Sequence, residues 1–279
     1  MIRERWFADS YEFTEGDIRD VEYRAGQLGT PAMRGSNATV AQRTGELWRP
    51  KVHEAGDFTL SIWFGTYQRQ AQLMWDDIVR AVIAPHRLVT WRRITANGET
   101  RTCQGEVTAA LQPTAIAQNG YRADLEVHVP SGYWQGEQLL TYASGDTGPD
   151  DRTRVLTLPG LATSTAALEA LTIRLAGGKD AALVNPVLTD TTDRGRADVL
   201  RYNQLIGAKQ SLTLDNDTWA LAAGGGLALN SAAVQYTGDR YLALAAAPPG
   251  VTQQLTLTSS SPIPAGAGVT VSGYRSFLC

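Results

Sequence analysis

The chain has 279 residues, 43% hydrophobic and 19% charged, with a formal net charge of −3. That length and apolar content can bury a large core, leave room for two domains, and exclude a disordered chain. The near-neutral balance excludes the basic surface of a nucleic-acid or anionic-membrane binder, and no run approaches the roughly 20 apolar residues of a membrane span. A local basic ring or stripe made by assembly of several copies stays open.

Met1-Ile-Arg-Glu-Arg-Trp6 contains no apolar signal core, so the chain is expected to be made in a cytoplasm, wherever it ends up. Cys103 and Cys279 have no metal-ligand spacing and no partners for a disulfide framework; they read as a small buried residue and a loose terminal thiol. Lysine occurs only at Lys51, Lys179 and Lys209, a bias that reflects a GC-rich genome rather than function. Six of the seven tryptophans (Trp6, Trp48, Trp63, Trp75, Trp91, Trp134) lie in the first half, and only Trp219 lies in the second. The shift falls at the turn-rich run Tyr142-Ala-Ser-Gly-Asp-Thr-Gly-Pro149, close to an expected boundary between domains 1–138 and 139–279.

In chain order, Asp57–Phe64 alternates Phe58, Leu60, Ile62 and Phe64 against Asp57, Thr59, Ser61 and Trp63, a half-buried strand. About Thr66–Ala84, the apolar residues Ala71, Met74, Trp75, Ile78, Val79 and Val82 recur at helical spacing, with Asp76 and Arg80 as an i,i+4 pair and Pro85 as the stop. Arg87–Ile94 reads as a strand, Asn97-Gly98 as a hairpin turn, and Arg101–Leu111 as the return. Asn119-Gly120 marks a second turn before the alternating strand Ala123–Val129. The second half is a series of short alternating runs: 155–158, 171–175, 211–214, 241–244, 255–257 and 269–271, broken by Pro159-Gly160, Gly177-Gly178, Asp215-Asn216 and Pro248-Pro249-Gly250. Such spacing, without a long amphipathic helix, predicts an antiparallel sandwich. A helical turn at 166–171 carries little weight.

Catalytic groups are hard to assemble from this chain. His53, His86 and His128 sit in no metal motif and read as solvated or structural. There is no nucleophile elbow, and Gly224-Gly225-Gly226 lacks the lysine and hydroxyl of a phosphate loop. Asp76 and Asp77 point apart on a helix, and Asp150 and Asp151 fall near the domain boundary. Asp215-Asn216-Asp217 has oxygen ligands for Ca²⁺, but it is also an ordinary turn composition, which is the favoured reading. Trp219, Tyr236 and Tyr241 are candidate residues for a carbohydrate platform, set against ordinary packing of large rings. No cofactor and no metal is expected, and the protein is read as a non-enzyme.

One sequence of segments resembles a known family. Gly29-Thr-Pro31, Arg34-Gly-Ser-Asn-Ala-Thr-Val40, Arg43 and Gly45, then the Phe58–Phe64 strand and the amphipathic helix, resemble the start of siphophage distal tail proteins. Ala123–Val129 followed by Pro130-Ser-Gly-Tyr-Trp134 is similar to the end of that family's N-terminal domain. Ala176-Gly-Gly-Lys-Asp180 with Asn185-Pro186, Leu212–Asp215, Tyr241–Leu244 with Pro249-Gly250, and Leu255–Leu257 are similar to its C-terminal sandwich. The resemblance covers nearly the whole chain, and the order of the pieces carries it.

The resemblance implies a mainly β fold, with an α+β N-terminal domain. That domain is a β-sandwich with one long helix and a β-hairpin, followed by a galectin-like antiparallel β-sandwich. It implies a homo-hexameric ring at the distal end of a long non-contractile tail, joining the tail tube to the tail-tip hub or fibre protein. The tape-measure protein is a further partner, DNA passes only in transit through the channel, and nothing inserts in a membrane. The virion would hold the product of synthesis in the host bacterial cytoplasm. Arg34, Asn37 and Arg43 are the candidate ring-interface residues. The galectin sugar-binding signature is missing, which counts against sugar binding by the second domain. Competing readings are a tail tube-like subunit, a secreted or tail-tip carbohydrate-binding module, and a cell-wall glycoside hydrolase needing two carboxylates across a cleft.

Overall fold

The computed structural model describes residues 4–14, 19–24, 33–34, 38–39, 46–47, 52–64, 68–110, 112–117, 120–146, 150–168, 170–192, 198–237, 242, 244 and 246–278. It is mainly β, with antiparallel sheets and one α-helix among these residues. The chain divides into two compact units, 1–137 with 277–279, and 138–276.

In the first unit the strands pair in the order Tyr11–Glu12, Arg5–Ala8, Val89–Ile94, Thr100–Ala110, Gly120–Val129, Gly56–Phe64 and Arg19–Arg24. The expected alternation appears directly. Phe58, Leu60, Ile62 and Phe64 are buried, and the facing strand sets Val127 opposite Phe58, Leu125 opposite Leu60 and Ala123 opposite Ile62. Cross-strand partners share a face, so two alternating strands build one apolar layer. Trp6, Phe13, Trp91 and Trp134 complete it, with Phe13 stacked on Trp91 at 5.8 Å and Trp134 edge-on to Trp6 at 5.7 Å.

One long strand serves both halves of this layer. Thr100–Gly105 pairs with Val89–Ile94, and Glu106–Ala110 pairs with Gly120–Val129. Gly105 sits at the changeover, where an added Cβ would lie 2.8 Å from Val127 Cγ1 and 3.2 Å from Trp91 Cδ1. Its carbonyl accepts a hydrogen bond from Trp91 Nε1 at 3.3 Å. Absence of a side chain therefore lets the strand pass from one partner to the other against a buried indole.

The helix runs Gln68–Ile78 and continues as a π-helical turn, Val79–Ile83, closed by Ala84 N–H donating to Val79 O at 2.7 Å. Its stripe of Ala71, Met74, Trp75, Ile78 and Val82 is buried in the core. The expected α-helix to Ala84 is thus corrected: the last turn widens just before Pro85, which has no N–H to continue the ladder. The expected Asp76–Arg80 ion pair is also replaced. Asp76 accepts from Gln72, while Arg80 pairs with Asp77 at 2.9 Å and donates to the Asp76 carbonyl. The Asn97-Gly98 turn holds a left-handed residue only at Gly98, φ 79°, with Gly98 N–H donating to Thr95 O. It is a three-residue loop rather than the two-residue turn with both φ positive.

Met33–Arg34 pairs antiparallel with Val52–His53 and, nested within them in sequence, Ala38–Thr39 pairs antiparallel with Glu46–Leu47, the pairing pattern of a β-hairpin.

Among the described residues the second unit has two five-stranded antiparallel sheets and a short pairing of Leu183–Val184 with Leu205–Ile206. One runs Leu140–Ala143, Gly268–Gly273, Leu171–Ala176, Ser211–Asp215, Ala220–Gly224; the other runs Thr153–Thr157, Gln254–Thr258, Val187–Asp190, Val199–Tyr202, Val234–Thr237. The inner strands and Thr153–Thr157 contribute alternate leucines, isoleucines and valines to one core, including Leu156, Ile173, Leu175, Leu188, Leu200, Leu212, Leu214, Leu255, Leu257 and Val271, while Leu140, Leu221 and Val234 of the other edge strands are partly buried against it. Among the described residues Tyr202 is the one aromatic fully buried in that core, its hydroxyl donating to Gln204 Oε1 at 3.2 Å. Burial raises its pKa above the usual value for a phenol.

Candidate functional site

Of the ring-interface candidates, only the Arg34 backbone falls among the described residues. Arg34 pairs by its backbone with Val52, while Asn37, Arg43 and the Arg34 side chain lie outside the described residues. Among the described residues the hairpin has two strands and no third. A two-stranded ribbon is marginal in water unless something packs on it or pairs with its edges.

The three carbohydrate candidates are not brought onto one surface by the described residues. Trp219 ends the turn after Ser211–Asp215 with φ 59° and is 44% exposed. Tyr236 lies on the edge strand of the other sheet, in register with buried Leu200. Tyr241 lies outside the described residues.

The Asp215-Asn216-Asp217 run is a turn. Asp215 Oδ1 accepts from the backbone of Asp217 at 3.0 Å and of Thr218 at 3.1 Å, and Asn216 Nδ2 donates to Leu242 O at 2.9 Å. Those side chains are spent closing the backbone, as short polar residues do. Among the described residues no group of three or more His, Cys, Asp or Glu is placed to hold a metal. Asp150 similarly accepts from Arg152 N–H, and its carboxyl is held below the usual range by hydrogen bonding to Thr153 and that amide.

His128 has a partner that the sequence did not show. Its Nδ1 lies 2.7 Å from Asp57 Oδ1 across adjacent strands, and Glu106 faces it from the other side in register. His86 lies in the turn after Pro85 with φ 48°. Cys103 is buried among the first unit's apolar residues, and no helix among the described residues is long and apolar enough to cross a membrane.

Arginines on the first sheet are used locally. Arg93 pairs with Glu4 at 2.7 Å, Arg101 with Glu99 at 2.7 Å, and Arg87 with Asp9 at 2.6 Å. Desolvation pushes the Asp9 carboxyl up, but the Thr90 amide and Arg87 outweigh it and leave the pKa lowered. Phe7 faces away from the core yet is buried, because Arg92 lies 4.0 Å and Arg5 5.1 Å from its ring centroid.

A depression of about 490 Å³ in the second unit is lined by Val199, Arg201, Gln235, Tyr236 and Thr237. The register sets Arg201 opposite Gln235 and Val199 opposite Thr237, so these four share the outer face of the sheet. No sequence signal marked them. Their alternation is that of any half-buried strand, and pairing alone brings them together.

The architecture defines a class: two consecutive units, a strand-rich domain carrying one helix and a hairpin, then a two-sheet antiparallel sandwich. No protein-family model matches the sequence, and no curated protein matches it. Among solved structures the chain is similar to the Dit protein of phage SPP1, described as a paradigm of the hub adsorption apparatus of phages infecting Gram-positive bacteria. The TM-score is 0.61 at 13% identity, over 99% of this chain and 100% of that one. Two structures of the phage P2 baseplate in its activated conformation, with Ca and with Sr, also match. Their TM-scores are 0.39 and 0.38 at 9% identity, over 98% and 97% of this chain and 98% of each of theirs.

Proposed function

We propose that this chain is a structural subunit of a phage tail tip, closing into a hexameric ring at the distal end of a long non-contractile tail. The ring joins the tail tube to the hub or fibre protein and leaves a channel for DNA. The first domain forms the ring and the galectin-like second domain projects from it. The observation that carries this reading is the end-to-end match in fold with SPP1 Dit: both units, in the same order, with no part of either chain left over beyond 1%. The hairpin pairing within 33–53 supports it physically, since a ribbon of two strands gains most of its stability from what packs against it. A closed ring supplies that packing through heterologous contacts repeated around an axis. Arg34, Asn37 and Arg43 are the proposed contact residues.

Light scattering on the purified full chain, with negative-stain images, tests the proposal. Six copies around a central hole are expected. A strict monomer at high concentration overturns the ring, and open-ended tubes of repeating subunits favour a tube-like subunit instead. Carbohydrate recognition through Trp219, Tyr236 and Tyr241 is the weaker reading, because Trp219 lies in a turn of one sheet and Tyr236 on an end strand of the other.

A further inference from the structure

The first unit is not contiguous in sequence. It takes residues 1–137 and then resumes at Phe277, with the whole second unit between them. Ser276–Leu278 is a strand of the first unit's sheet, paired with Tyr133–Gly136. Phe277 on that strand is 4% exposed and belongs to the same core cluster as Trp6, Phe58, Trp91 and Trp134. The Arg101 guanidinium lies over its ring, 3.7 Å from the centroid.

This late strand steadies an earlier one. Tyr133–Gly136 meets Thr100–Ala110 at Arg101 opposite Gly136 and Thr102 opposite Gln135, and its other neighbour is Ser276–Leu278. A short strand with one short pairing is marginal in water, and a second neighbour fixes it. Trp134 sits on this strand, 2% exposed, edge-on to Trp6 at 5.7 Å and tilted against Phe58 at 5.4 Å. Loss of Phe277 therefore empties a place in the core and loosens the strand that seats Trp134. We infer that the first unit closes only after the chain has run through the whole second unit, and that a chain interrupted there is kept out of the ring; the latter half rests on the ring proposed above. An N-terminal domain ordinarily folds while the rest of the chain is still being made. Here the closing strand comes from beyond residue 276, so the first unit waits for the second to be synthesised. A ring built this way admits only subunits that carry their second unit.

The test deletes 277–279 from the full chain. Ser276 is kept, because its N–H donates to Ser164 Oγ at 3.1 Å and its carbonyl accepts from Thr165 at 2.8 Å and Ala166 at 3.1 Å, bonds that belong to the second unit. Calorimetry and hydrogen exchange then read the units separately. The first unit's transition is expected to fall by about 10 °C, with protection lost at Arg101, Thr102 and Tyr133–Gly136 and the second unit's transition unchanged. Phe277→Ala keeps the backbone pairing and lowers the same transition by less; it decides the matter if the deletion does not fold. Co-expression of a tagged deletion with the full chain is expected to give rings free of the tag by native mass spectrometry. Unchanged protection and an unchanged first transition overturn the closing strand. Tagged subunits in the rings at their input share overturn the exclusion. A full chain that stays monomeric refutes the ring, and the exclusion with it, while exchange still judges the closing strand, so the two proposals fail separately.

Discussion

Gly177→Ala probes how closely backbone segments approach in the second unit. A Cβ at Gly177 would lie 2.1 Å from Gly207 O and 2.6 Å from Ile206 O, and real Cβ atoms do not come within 3.0 Å. The Gly207 carbonyl must therefore retreat by about 0.9 Å, the difference between those two distances. It is held where it is: Gln210 N–H donates to Gly207 O at 3.0 Å, Gly207 N–H donates to Gln210 Oε1 at 2.8 Å, and Gly177 N–H donates to Gln210 O at 3.0 Å. Overpacking against a rigid neighbour costs about 1–3 kcal/mol, and each buried bond broken adds about 1–3 kcal/mol. One broken bond brings the loss to about 3 kcal/mol, or about 10 °C in Tm for a unit of this size. Gly226→Ala is the comparison: φ is 79° but nothing lies within 4 Å, so backbone strain alone costs about 1 kcal/mol. Differential scanning calorimetry with urea denaturation of the full chain separates them. The reasoning fails if Gly177→Ala lowers the second unit's transition no more than Gly226→Ala does.

Other outcomes follow from named contacts. Arg154 is buried with its guanidinium donating to the carbonyls of Asp150, Thr153 and Ile263; Arg154→Leu should cost about 2–3 kcal/mol by urea titration, and an unchanged midpoint would deny it a bracing role. Hydrogen bonding from Arg5 at 2.7 Å holds the Glu12 carboxyl below the usual range. A lowered folded pKa stabilises above the unfolded value of about 4.3 and loses that stability as pH falls through the folded value. Glu12→Gln should therefore flatten the acid limb of stability against pH, by under about 1 kcal/mol because the pair is partly exposed; an unaltered limb refutes the linkage. Replacing residues 35–51 with a short glycine-rich turn, or Arg34→Glu alone, should shift the scattering mass from ring to monomer without moving the thermal transitions. A ring that still forms would take the hairpin out of the interface.

Much of the fold could be read because its strands obey period two with one wet face. Phe58, Leu60, Ile62 and Phe64 are buried in a core and Asp57 and Thr59 are not, so alternation names the strand and its apolar side; the burial of Ser61 on the other face, where it accepts from Arg122, is not visible in that pattern. The helix was equally legible as far as Ile78. Beyond it the apolar spacing of Val79 and Val82 suits an α-turn, and only the actual bond from Ala84 to Val79 reveals the wider π-turn. The doubled use of Thr100–Ala110 was not legible. Gly105 looks like any strand glycine until both neighbouring strands are known, because its role is to leave space between Trp91 and Val127.

Candidate sites were less legible for a related reason. Aromatic rings and carboxylates attract notice in a sequence, but chemistry is decided by which face a strand turns toward which neighbour. Tyr236 was the conspicuous residue of its strand, yet register pairs it with Leu200, whose side chain is in the core. Its neighbours Gln235 and Thr237 look inert, yet register pairs them with Arg201 and Val199 on the outer face. A one-residue slip of Val199–Tyr202 would send Arg201 toward the core side. Burial of Leu200 and Tyr202 forbids that slip, since it would expose two large core residues together. The core of the sandwich thus fixes which residues of Val199–Tyr202 turn outward.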